Sequence, residues 1–133
     1  MIVAAHVAVG AAAGAVIGSR GRASVSGVAL HGLQDAVPHE DIRSRRFETV
    51  SGVALLSLLA LRRGLFDPAV LGAAACAAPD LEHVLPLPKP GGRDLFPSHR
   101  VRGWHKEGGL PAWLQLAASG VIVAVLLRRG EEP

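Results

Sequence analysis

What most constrains this chain is that proline and glycine cut its apolar residues into stretches shorter than a membrane span. Ile2 to Gly18 is an Ala- and Gly-rich run with one polar intruder, His6. Ser24 to Val37 stops at Pro38, and Glu48 to Leu61 is followed by Arg62, Arg63 and Gly64. The stretch opening at Asp67 ends at Pro79, and Leu110 to Leu127 closes on Arg128 and Arg129. The boundaries carry helix chemistry. A residue before proline is pushed out of the helical region. Asp67 suits a cap with Pro68 in the first turn. Glu48 at a start and Arg62-Arg63 at an end match the helix dipole. The expectation is an all-α bundle of about five short apolar helices with no sheet.

A full span wants about 20 apolar residues, so no stretch suffices alone. Short spans packed together in a membrane are expected, with an unusually apolar soluble bundle as the rival. Small residues dominate the apolar half of the composition, and Gly10 and Gly14 stand at the GxxxG spacing that lets helices approach closely. The formal charge of +3 rests on arginines clustered beside apolar stretches, at Arg43, Arg45, Arg46 and the two later pairs. This is the pattern of membrane flanks and of contact with membrane lipid. Nucleic-acid binding is not expected, because no continuous basic face is interleaved with base-reading side chains. The apolar run at residues 2–18 lacks a preceding basic region and reads as retained rather than as a cleaved signal. A length of 133 residues is read as one domain, 1–133.

Cys76 is the only cysteine, so a disulfide framework and a thiolate cage are both excluded, and it reads as a small core residue. Any metal must be held by His, Asp and Glu. If the helices alternate up and down, the start of the first, the ends of the second and fourth and the entry to the fifth share one end. That gathers His6, then His31, Asp35 and His39, then Asp80, Glu82 and His83, and finally His105. His31 and Asp35 share a helix face at i, i+4, and His39 can swing back past Pro38. Asp41 follows as a further carboxylate. Residues 85–109, rich in Pro, Gly, Arg and His, form a loop far longer than ordinary connections, which is usually functional. It carries His99, Arg100 and Arg102.

Clustered imidazoles and carboxylates suit a borderline divalent cation. The candidate ligands are His6, His31, Asp35, His39, Asp80, His83, His99 and His105, holding one or two zinc-type ions. Glu82 or Asp41 would accept the proton of an attacking water. Arg100 and Arg102 would hold an anionic group of the substrate.

The string Pro79-Asp80-Leu81-Glu82-His83, the helix-borne His6, and the later His99-Arg100 with Gly103-Trp104-His105 resemble a family of small bacterial inner-membrane proteins regarded as metal-dependent hydrolases. That family shows Pro-Asp-x-Asp-His followed by His-Arg-Gly-x-x-His. The string from His31 through Asp35, Pro38 and His39 to Asp41 also looks like an element of related membrane proteins. Glu82 stands where the family has Asp, and the interval from His99 to His105 is one residue longer. The resemblance implies a zinc-type hydrolase in the bacterial inner membrane, acting on an ester or phosphoester, with lipidic substrates a natural class. Two other readings stay open: a non-catalytic metal-binding membrane protein, and a small membrane interaction protein with incidental histidines.

Overall fold

A computed structural model describes residues 1–129, and among these the architecture is helical without strands. Five longer helices, α1 (Val3–Ile17), α2 (Arg20–Asp35), α3 (Arg45–Arg63), α4 (Pro68–Ala77) and α7 (Ala112–Arg129), are joined by two one-turn helices, α5 (Leu81–Val84) and α6 (Pro97–Arg100). α4 lies against α1 and α2, while α3 and α7 flank α1.

The expected stop signals act locally. Asp67 caps α4 by accepting the Ala69 N–H at 2.8 Å, with Pro68 in the first turn. Gly18 ends α1 in the left-handed conformation, its N–H returning to the Gly14 carbonyl, so only Gly18 and Ser19 separate α1 from α2. The basic cluster at Arg43, Arg45 and Arg46 is partly helical. Ser44 accepts the Phe47 N–H at 3.3 Å and starts α3 at Arg45, because a serine cap satisfies a first-turn donor that would otherwise be orphaned. The long segment before α7 is not pure loop either, since Pro97 opens the turn of α6.

The core is built from small side chains. Val7, Ala8, Ala11, Leu59, Ala69, Val70 and Ala73 pack with Val123 and Leu126. Backbones therefore approach closely. A Cβ on Gly10 would stand 2.5 Å from the Gly72 carbonyl oxygen, and one on Gly14 would stand 2.1 Å from that of Pro68. The GxxxG pair is thus the face that α1 turns to α4.

The helices do alternate, bringing the start of α1, the end of α2, the start of α3, the segment after α4 and the start of α7 to one end. At the other end Arg63 donates to the Leu126 carbonyl at 3.0 Å and to Asp67 at 3.2 Å. No helix among the described residues is long and apolar enough to cross a membrane. Large apolar side chains nevertheless lie open on several helices, among them Val25 and Leu33 of α2, Val50 and Leu61 of α3, and Trp113 and Val121 of α7.

Candidate metal centre

His6 is fully buried on the first turns of α1, and its ring stacks on His31 of α2 with centroids 4.0 Å apart. One turn on, Asp35 is 1% exposed, with Oδ2 3.1 Å from His31 Nε2 and Oδ1 3.3 Å from His6 Nε2. Ser98, at the first turn of α6, donates to Asp35 Oδ2 at 2.6 Å. Its neighbour His99 places Nε2 3.0 Å from His31 Nε2 and 3.4 Å from the same carboxylate oxygen. Asp80, delivered by the 3-10 turn after α4, faces this group at 3.7 to 3.9 Å from His99, His31 and His6.

A second group adjoins the first. Pro38 ends α2, and the chain then pairs with the segment before α7: His39 N–H donates to the Lys106 carbonyl, Glu40 N–H to Leu110, and Leu110 N–H to Pro38. Gly109 permits this approach, since its φ is +97° and a Cβ there would fall 2.6 Å from the Pro38 oxygen. The pairing sets His105 Nε2 3.0 Å from the buried His39 Nε2, with Asp41 3.2 Å from His39 and 3.1 Å from His105. The Met1 amino group sits 3.1 Å from Asp35 Oδ1 and 3.5 Å from Asp41 Oδ1.

The ring orientations decide what these atoms can be. His31 Nδ1 lies 2.7 Å from the Cys76 carbonyl and His39 Nδ1 lies 2.6 Å from the Val37 carbonyl. A carbonyl only accepts, so Nδ1 carries the proton in both rings, and in the neutral imidazole Nε2 then bears the lone pair. His99 Nδ1 is likewise held by the Glu82 carboxylate. Imidazoles whose outer nitrogen donates to a carbonyl or carboxylate are oriented as metal ligands are. Two such lone pairs facing each other at 3.0 Å repel unless a cation lies between them. Ligand atoms about 2.1 Å from a common ion are about 3.0 to 3.4 Å apart in octahedral or tetrahedral arrangement, which is the spacing between His31 and His99 and from Asp35 to His6, His31 and His99. Among the described residues His6 Nε2 and Asp80 Oδ2 are buried with no hydrogen-bond partner. Burial of polar atoms without partners is costly, and an ion would satisfy both. These groups could hold a metal ion.

Electrostatics points the same way. Burial lowers His6 to about 3 and keeps it neutral, with a lone pair to give. Burial pushes Asp80 up to about 6. Burial also works to raise Asp35, but the imidazoles of His31, His6 and His99, with the Ser98 hydroxyl, all within 3.4 Å of its oxygens, hold it well below the usual carboxylate range. Burial opposes a charge on His99, yet the Asp35 and Glu82 carboxylates beside it raise it overall. Cys76 is pushed up to about 12 by burial and remains a thiol.

Not every expected role matches the geometry. Glu82 is buried, accepts the backbone N–H of Leu95 and Phe96, and binds His99 Nδ1. Its oxygens are occupied on the far side of His99, so it holds a ligand in place and is not set to take a proton from water. Glu82→Gln is expected to weaken metal binding about 10- to 100-fold without unfolding the chain, measured by competition with a chromophoric chelator. His83 is exposed at the rim with its ring centroid 4.4 Å from that of His99. It can join Asp80 and His99 but not the deeper atoms. Arg100 and Arg102 are exposed and do not line the central cavity, because α6 directs Ser98 and His99 inward. The cationic side chain in that cavity wall, besides the Met1 amino group, is Arg45, at the start of α3, beside Glu48 and Thr49. The serine cap at Ser44 was the one sequence signal that could have placed Arg45 on a helix facing the site. Trp104 donates its indole N–H to the Gly32 carbonyl at 2.8 Å and so ties the loop to α2.

No protein-family model, curated protein or solved structure matches the chain.

Proposed function

We propose that this chain is a membrane-associated, divalent-metal-dependent hydrolase of an ester or phosphoester carried on an amphiphile. The observation that carries the reading is the convergence of imidazole Nε2 lone pairs, each ring held by a carbonyl or carboxylate at its other nitrogen, on carboxylates lining an open polar cavity. Zinc suits the nitrogen and oxygen donor set. A bound ion of this class supplies Lewis acidity and brings the pKa of water near neutrality.

The protein's own residues do the rest. Asp41 stands half exposed at the cavity wall, where it can accept the proton of the attacking water and return it to the departing oxygen. The water's hydroxyl part then goes to the acyl or phosphoryl group, and the bond from that group to the leaving oxygen breaks. Arg45 is placed to hold an anionic portion of the substrate.

The substrate class follows from what adjoins this cavity. An apolar groove of about 340 Å³ between α1, α3, α4 and α5 shares Val3, Thr49, Asp80 and Val84 with it and continues over Val7, Val53 and Leu56. A molecule with a hydrolysable polar head and an alkyl chain fits that junction. The apolar side chains open on α2, α3 and α7 favour association with a lipid surface.

The test is hydrolysis by the zinc-loaded, detergent-solubilised chain of a homologous series of 4-nitrophenyl esters and alkyl phosphoesters. Each methylene that enters the groove should lower KM about fourfold, the worth of about 0.8 kcal/mol of burial, and Val53→Asp should erase that trend. A KM independent of chain length would rule out the amphiphile, and a metal-loaded chain with no turnover would rule out the hydrolase.

A further inference from the structure

We infer, resting on the metal-centre reading above, that the site holds two ions of different character bridged by Asp35. The inner position is the more enclosed: His6 on α1, His31 on α2, His99 on α6 and Asp80 on the 3-10 turn after α4 surround it, and Asp35 Oδ2 completes it. The outer position has His39 and His105, with Asp35 Oδ1 turned towards it 4.0 Å from His105 Nδ1. Within each ligand set the donor atoms lie within 4.8 Å of one another, and Asp35 belongs to a set on each side.

One ion does not account for this arrangement. The His31 and His99 lone pairs face each other at 3.0 Å, and so do the Nε2 atoms of His39 and His105. The two facing pairs lie on opposite sides of one carboxylate. An ion set between His31 and His99 does not serve His39 and His105, which with Asp35 form a separate set of donors.

The two positions differ in access. His6 and His31 are fully buried and off the open cavity, and Asp35, His99 and Asp80 meet it with side chains 1%, 6% and 17% exposed, whereas His105 meets it at 35%. Closed sites with a full protein ligand set are structural, and sites with three protein ligands and an open position are catalytic. The inner ion therefore ties α1, α2, α4 and α6 together, and the outer ion is the exchangeable one that meets substrate.

The deciding experiment titrates the metal-free, detergent-solubilised full chain with Co2+ and counts ions after desalting, with the EPR signal followed through the titration. The expected result is two ions per chain, the second at least tenfold weaker, with magnetic coupling appearing as it binds. His105→Ala, in an exposed loop where folding is not at stake, should bind one ion, and Asp35→Asn should lose the coupling and weaken both sites. Circular dichroism accompanies each variant, and His39→Ala repeats the outer-site test from a different segment. One ion per chain that survives His105→Ala and is lost in His31→Ala would overturn the two-ion inference while leaving the metal centre standing. Two ions that remain uncoupled would overturn the bridge. No bound ion in the folded chain would overturn both readings.

Discussion

His31→Ala is expected to strip the inner ion and, by freeing the Asp35 carboxylate that the outer position shares, to weaken the outer ion as well and reduce turnover by about 10³-fold or more, since Lewis-acid assistance is worth several kcal/mol and each 1.4 kcal/mol is a factor of ten. Three relations are lost together. His31 stacks on His6, faces His99 at 3.0 Å, and binds the Cys76 carbonyl through Nδ1. Its removal leaves His6 Nε2, already without a hydrogen bond, with a cavity beside it. Elemental analysis of the variant beside the parent chain, together with its rate on the best substrate of the series, checks the outcome. A variant that kept its full metal content would remove His31 from the centre.

Gly72→Ala is expected to destabilise the fold by about 3 kcal/mol, towards the upper end of the usual range for overpacking, and to lower Tm by about 10 °C. The new Cβ would stand 2.4 Å from the Gly10 carbonyl oxygen and 3.2 Å from the Gly14 Cα. These are main-chain atoms of a neighbouring helix and cannot rotate aside. Gly120→Ala in α7 is the control, for a Cβ there meets nothing within 4 Å. It should stabilise by about 0.5 to 1 kcal/mol through helix propensity alone. Thermal unfolding in detergent, followed by circular dichroism, distinguishes the two. Equal behaviour of both variants would remove the argument for backbone contact between α1 and α4.

Much of this arrangement was legible in the residues because its determinants are local. Pro38, Gly64, Asp67-Pro68 and Pro79 mark helix ends by sterics and capping, and short turns between them force an alternating bundle. Once the helices alternate, His6, His31, Asp35 and Asp80 must share an end. The roles of Glu82, His83, Arg100 and Arg102 were not legible, because they depend on the rotation of one-turn helices. Asp80, Glu82 and His83 are neighbours in sequence, yet one faces the inner group, one props His99 from behind and one lies at the rim. No periodicity governs four residues. The partner of His39 was also hidden in part, since the backbone pairing of residues 37–40 with 106–110 is a long-range event allowed by the left-handed conformation of Gly109.

The contact between bare backbones has a bearing on which ion the inner position can admit. His6 rides on α1, His31 on α2 and Asp80 at the end of α4, and both Gly10 and Gly27 abut the Gly72 carbonyl, where a Cβ on either would stand 2.5 Å away. The cage is therefore gauged by main chain against main chain, with no compliant side chain to take up slack. Ions with ligand distances of about 2.0 to 2.2 Å are accommodated. Calcium, which takes ligands at about 2.3 to 2.6 Å and wants more of them, would have to wedge three helices apart. Size discrimination at this centre is then a property of the glycines a turn or more away from any ligand, and it would be relaxed by loosening the helices without altering one donor atom.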